Sequence, residues 1–158
     1  MELEGRGAAY RGTSLSCPGC GETMRSELVP SAEVDVCGAC GGIWVDWFDG
    51  AIDTLAVEAE SARVERGTPP PGVLGSIPES GSRKCPRCQR ALMPDMHRFV
   101  DARDDELVTG VELLRCTECA GSFVPRSSAH LLFDRTREAR APSLVAAVIA
   151  LVRSALAK

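Results

Sequence analysis

The sequence predicts a small α+β protein that is stabilised by bound metal, and three observations support this prediction. All eight cysteines lie in Cys-x-x-Cys pairs. The pairs recur as two similar sets along the chain. Only 4% of the 158 residues are aromatic. Two modules of about 45 residues each would therefore bury too little apolar surface to fold without disulfides or metals.

The cysteine pairs form an internal duplication. The opening pairs are Cys17/Cys20 and Cys85/Cys88, and the closing pairs are Cys37/Cys40 and Cys116/Cys119. Sixteen residues separate the pairs in the first set and 27 in the second, so the second copy carries 11 extra residues. We place these residues in a longer β-hairpin of the second copy.

The cysteine spacing predicts zinc. Two Cys-x-x-Cys turns bring four thiolates to one tetrahedral ion, with Zn–S distances of about 2.3 Å. The charged start of the chain has no apolar segment, which predicts a cytoplasmic location where thiols stay reduced. We therefore predict two zinc ions, one per ribbon. The expected ligands are Cys17, Cys20, Cys37 and Cys40 in the first site, and Cys85, Cys88, Cys116 and Cys119 in the second.

Other thiol chemistry fits less well. A thioredoxin-type motif needs a βαβ setting, and none of the four pairs has one. With every ligand position filled by cysteine, no open coordination position is left for catalysis, so we expect no enzyme. A redox switch that releases zinc on oxidation stays a third hypothesis.

The predicted organisation is two tandem zinc ribbons built from short antiparallel β-hairpins, each followed by an α-helix, and an apolar C-terminal helix. Its segments are a disordered N-terminus (1–14), ribbon one (15–48), a helix (49–66), a Pro/Gly/Ser linker (67–82), ribbon two (83–126), a helix (127–141) and the C-terminal helix (142–158).

Ribbon one resembles a known family beyond its cysteines. The matching residues are Cys17-Pro18-Gly19-Cys20 and the run from Val34-Asp35 through Cys37-Gly38-Ala39-Cys40-Gly41-Gly42-Ile43-Trp44-Val45-Asp46. They are similar to the bacterial TFIIB-type "transcription factor zinc-finger" ribbon. The resemblance implies a zinc ribbon here and, by duplication, a divergent second ribbon. We also expect Trp44 to pack on the following helix through Ile52 and Leu55.

The C-terminal segment is the most apolar part of the chain. Its uninterrupted apolar run, 144–152, has nine residues, whereas crossing a bilayer takes about 20, so we predict no transmembrane segment. The segment could pack on the ribbons, pair with a second copy, enter a partner's groove or lie on a membrane. The possible partner contacts are Trp47, Leu144, Val148, Ile149 and Val152.

Charge divides the chain, with net −8 over residues 1–80 and net +4 over residues 81–158. Possible contacts to nucleic acid or an acidic partner are Arg83, Lys84, Arg87 and Arg90. Together with Arg115, Arg87 and Arg90 could instead offset the negative charge of the second zinc site, whereas the first has only Arg25 nearby.

Two functions compete at this point. The first is a non-enzymatic protein-interaction, scaffold or regulatory module with an unidentified protein partner. The alternative is binding of nucleic acid or the transcription machinery through the basic second ribbon. The overall charge of −4 and the lack of aromatic residues between the basic ones speak against the alternative.

Overall fold

A computed structural model describes residues 14–71, 81–101, 104–140, 148–149 and 152–155, with backbone only for 99–101, 104–109 and 140. Ribbon one comprises four strands, β1 (Leu15–Ser16), β2 (Thr23–Leu28), β3 (Glu33–Cys37) and β4 (Ile43–Val45), followed by helix α1 (Ile52–Glu65). Ribbon two comprises β5 (Met93–Asp101), β6 (Asp104–Arg115) and β7 (Ser122–Val124), followed by helix α2 (Arg126–Arg140). The α+β class and the antiparallel hairpins agree with the prediction.

The longer hairpin of ribbon two holds the extra residues, as predicted. Strands β5 and β6 have 9 and 12 residues, whereas β2 and β3 have 6 and 5. Helix α2 begins at Arg126, just after Pro125, and Ser128 donates a hydrogen bond from Oγ to the backbone oxygen of Glu112 on β6 at 2.6 Å. This bond ties the start of the helix to its own hairpin.

The two ribbons are not separate modules, because their last strands pair. The seven strands form one sheet in the order β1-β2-β3-β4-β7-β6-β5, with β4 antiparallel to β7. Trp44 is paired with Phe123, flanked by the pairs Ile43/Val124 and Val45/Ser122. Since the duplication aligns Trp44 with Phe123, equivalent residues meet around a local two-fold axis.

Two clusters of buried side chains fill the interior. One lies where the sheet meets the helices and includes Ile43, Val45, Leu55, Val124 and Leu132. The other surrounds the cysteines and includes Trp44 and Phe123. The helices pack on each other, and α1 also buries Glu60 and Arg63 among its apolar residues.

Several predictions fall wholly or partly outside the described residues. These are the disordered N-terminus up to residue 13, the linker between 72 and 80, and Leu144. In the C-terminal segment, residues 148–149 and 152–155 are helical. A continuous helix over 142–158 stays a prediction.

Candidate metal centres

The cysteines form two clusters that each suit one zinc ion. In site one (Cys17, Cys20, Cys37 and Cys40) and site two (Cys85, Cys88, Cys116 and Cys119), the four sulfurs lie within 4.8 Å of one another. The closest pairs within each cluster are 3.4 to 3.5 Å apart. A tetrahedron with Zn–S bonds of about 2.3 Å has edges of about 3.8 Å. Each cluster could therefore hold a zinc ion, and the predicted grouping within each half is confirmed.

The same backbone turn presents each cysteine pair. In all four turns the first cysteine donates its N–H to the backbone oxygen five residues on, at 2.7 to 2.9 Å. The residue after the second cysteine has a left-handed backbone in every turn. It is glycine in ribbon one, Gly21 (φ 84°) and Gly41 (φ 75°), but Gln89 (φ 63°) and Ala120 (φ 56°) in ribbon two. Ribbon two thus places side chains where this conformation favours glycine.

Burial and hydrogen bonds shift the pKa values of the thiols in each cluster. A hydrogen bond to Cys40, together with burial, raises the pKa of Cys17, and the same bond is the main cause that lowers the pKa of Cys40 to about 5. In site two burial raises the pKa of Cys85. At Cys116 burial acts in the same direction but is outweighed by hydrogen bonds, first from the backbone of Cys119, and the pKa falls to about 7. Zinc must displace the retained protons, so its affinity falls with acidification.

Arg87 joins the ribbons instead of facing a partner. Its side chain is 3% exposed, and Nη2 lies 2.7 Å from Oδ2 of Asp46 and 3.0 Å from Oδ2 of Asp35. The sequence predicted that Arg87 contacts nucleic acid or an acidic partner, or offsets the charge of site two. Its guanidinium instead meets acidic groups of ribbon one within the chain. Asp35 and Asp46 belong to the family pattern quoted above. Their partner Arg87 lies 41 residues beyond Asp46, so no local sequence pattern indicates these ion pairs.

Trp44 is fully buried, but its predicted packing on α1 is wrong. The indole belongs to the cluster around the cysteines, whereas Ile52 and Leu55 belong to the cluster beneath the helices. A Cβ on Gly121 would lie 2.3 Å from the Trp44 ring, and one on Gly42 would lie 2.3 Å from the Phe123 ring. Each aromatic ring therefore covers a glycine of the other ribbon. These contacts require the pairing of β4 with β7.

The other predicted contact residues lie at the surface wherever they are described. Arg83, Lys84 and Arg90 are exposed. Trp47 is 65% exposed, and Val148, Ile149 and Val152 are between 47% and 56% exposed. Arg115 pairs with Asp95 at 2.7 Å.

A buried charge cluster between the helices was not predicted. Glu60 is completely buried, and its carboxylate meets Arg63 and Arg126 at 3.3 Å each and Nδ1 of His130 at 3.0 Å. Glu60 lies between Ala59 and Ser61, on the face of α1 that also carries Leu55 and Ala56, and this position is the only sequence signal that could have found it.

Comparison with known proteins finds a family match in ribbon one. Residues 16–49 match the family model described as "Transcription factor zinc-finger", a TFIIB-type zinc ribbon. Over these residues ribbon one is similar to this family. The second four-cysteine cluster is consistent with a second, divergent copy. No curated protein and no solved structure matches the chain.

Among the described residues, no helix is both long enough and apolar enough to cross a bilayer.

Proposed function

We propose that this zinc-binding protein is a non-enzymatic interaction module that docks a protein partner and acts as a scaffold or regulator. The observation that carries the proposal is an exposed aromatic pair, Trp47 and Phe48, directly after the central strand β4. The two rings are 65% and 40% exposed and stand edge to face, with centroids 5.7 Å apart.

Hydrogen bonds fix the turn that carries these two rings. Asp46 donates its N–H to Oδ2 of Asp49 at 2.8 Å, and Asp49 donates its N–H to the backbone oxygen of Asp46 at 3.0 Å. The Asp46 carboxylate also accepts hydrogen bonds from Nε1 of Trp44 at 2.8 Å and from Arg87 at 2.7 Å. A partner would therefore meet a rigid aromatic anchor, and little conformational entropy would be lost on binding.

The four-cysteine ligand sets support a structural role for the metal. Structural zinc sites have four protein ligands, whereas catalytic sites keep one position open for water or substrate. The seven-stranded sheet then acts as a fixed platform for the turn. Exposed Val148, Ile149 and Val152 offer a second apolar surface for the partner or for self-association.

Nucleic-acid binding through ribbon two is the weaker alternative. Arg87 is engaged by Asp35 and Asp46, so Arg83, Lys84 and Arg90 remain from the predicted basic group. A salt-sensitive shift of DNA or RNA that is lost when Arg83 and Lys84 are changed to glutamine would favour this alternative.

The test of the proposal is capture of a partner by the zinc-loaded chain with and without the aromatic pair. The bait variants are W47A/F48A and, as matched control, Leu28→Ala, which removes another exposed apolar side chain (82% exposed). We expect one specific protein to bind the wild type and the control and to be lost with W47A/F48A, at unchanged zinc content. Identical captured proteins for all three baits would refute a role for the pair.

A further inference from the structure

Four arginines line one cavity beside the closing cysteine turn of ribbon one. The cavity has a volume of about 240 Å³. Arg25, Arg63, Arg66 and Arg126 line it together with Thr68 and the turn 37–41, and none of its lining residues is acidic. Arg126 lies across the turn, because a Cβ on Gly41 would come within 2.4 Å of its Cδ.

The carboxylates behind the cavity do not balance these arginines. Glu27 pairs with Arg66 at 2.9 Å and with Arg25 at 3.8 Å. Glu60 pairs with Arg63, Arg126 and His130. Among the described residues, four guanidinium groups therefore face two carboxylates.

Arg63 supplies a buried donor that is not used. Its side chain is 7% exposed, and Nη1 contacts Glu60 at 3.3 Å. Among the described residues Nη2 has no hydrogen-bond partner, although it is closed to solvent. Burial also lowers the pKa of Arg63, against the raising effect of Glu60. A buried cation with an unsatisfied donor is costly.

The zinc centre does not use these donors in hydrogen bonds. Four thiolates and Zn²⁺ carry about −2, and Cys37 and Cys40 reach the cavity wall. The side-chain contacts of the four arginines nevertheless go to Glu27, Glu60 and the backbone oxygen of Pro69. Within the described part of the chain, none of these contacts is a hydrogen bond to a cysteine sulfur.

We propose that this cavity binds a phosphate dianion, either as free phosphate or as the terminal phosphate monoester of a small molecule. Arginine presents several N–H donors in a planar fork that matches phosphate oxygens, and the charge-assisted bonds are stronger than neutral ones. The site lies on ribbon one and is independent of the aromatic turn, so it goes beyond the interaction function and does not rest on it.

The experiment is a titration of the zinc-loaded full chain at low ionic strength, where charge pairing is least screened. The probes are inorganic phosphate and phenyl phosphate, followed by NMR at the amides of residues 38–41 and at Nε of Arg63. The test variant is R25Q/R66Q, whose side chains are at least half exposed, so that the fold is retained. The matched control is Arg135→Gln, which removes an arginine paired with Glu138 on α2.

Saturable shifts at residues 38–41, weakened about tenfold or more in R25Q/R66Q and unchanged in Arg135→Gln, would support the site. Tighter binding of phenyl phosphate would identify a monoester as the ligand, and tighter or equal binding of inorganic phosphate would identify the free ion. Three results would overturn the proposal: no saturable shift, the same affinity in all three proteins, or weaker zinc retention in R25Q/R66Q without phosphate binding by the wild type. Binding of an oligonucleotide, added as a third probe, but of neither phenyl phosphate nor inorganic phosphate would also overturn it.

Discussion

Ribbon one places glycine after the second cysteine of each turn, whereas ribbon two places Gln89 and Ala120 there in the same left-handed conformation. Ribbon one also encloses its ligands more completely, since Cys88 of site two is exposed and every ligand of site one is at least partly buried. The cysteine geometry is nevertheless alike in both. The comparison teaches that the arrangement of the four cysteines sets the geometry of these turns. Ribbon two has the same turn geometry although its residues at these positions make the backbone conformation less favourable.

The largest expected effect is that of zinc removal. Structural zinc sites contribute about 10 kcal/mol or more of apparent binding free energy, which rivals the whole stability of a small protein. We expect strong chelation to unfold both ribbons. Stepwise chelation should empty site two first, because Cys88 is exposed and its turns are strained.

Native mass spectrometry would count the zinc ions during this chelation, and alkylation followed by peptide mapping would show which cysteines become free. Alkylation of Cys17 or Cys37 before Cys88 would contradict the proposed order. Retained NMR dispersion after loss of both ions would contradict the dependence on metal.

The second effect concerns the ion pairs that join the ribbons. Arg87→Met leaves the buried Asp35 and Asp46 without this guanidinium, and removal of one partner from a buried pair costs about 3–5 kcal/mol. Arg90→Met is the matched control, since Arg90 is exposed two residues after Cys88. Denaturant unfolding of the zinc-loaded proteins measures the loss of unfolding free energy in both variants. Equal losses in the two variants would show that Arg87 does not hold the ribbons together.

The third effect tests whether the two ribbons are equivalent at their junction. In Gly42→Ala and Gly121→Ala the new methyl would meet the Phe123 and Trp44 rings at 2.3 Å, so each should lose about 1–3 kcal/mol of unfolding free energy. Gly38→Ala is the control, because nothing lies within 4 Å of its Cβ position. A loss in only one of the two test variants would show that the local two-fold relation is not maintained in packing.

The smallest effect measures the backbone strain of ribbon two. Ala120→Gly relieves a left-handed conformation that costs about 1–2 kcal/mol, and the flexibility of glycine costs about 0.5–1 kcal/mol. We expect a net gain of up to about 1.5 kcal/mol in unfolding free energy. Gly41→Ala, at the equivalent position of ribbon one, should be destabilising because its Cβ would also meet Arg126. A loss of stability in Ala120→Gly would show that ribbon two has adapted its turn.

Local signals predicted the metal sites well. Cys-x-x-Cys spacing fixes the turn within a few residues, so the ligand sets, their grouping and the longer hairpin followed from the sequence. The junction could not be predicted in the same way. Pairing of Trp44 with Phe123, and of Arg87 with Asp46, joins residues that are far apart in the chain. Trp44 was therefore assigned to the nearest helix, although its neighbours come from ribbon two.

The pairing of β4 with β7 also governs how the chain can reach its native state. Until Ser122–Val124 has been synthesised, the outer edge of Ile43–Val45 lacks the strand that covers it in the sheet. An open edge that carries apolar side chains is a template for pairing between molecules, and contacts this distant in sequence form slowly. Duplication of the ribbon therefore provides an internal cap for that edge, and ribbon one made alone would have to find the same cap in another chain.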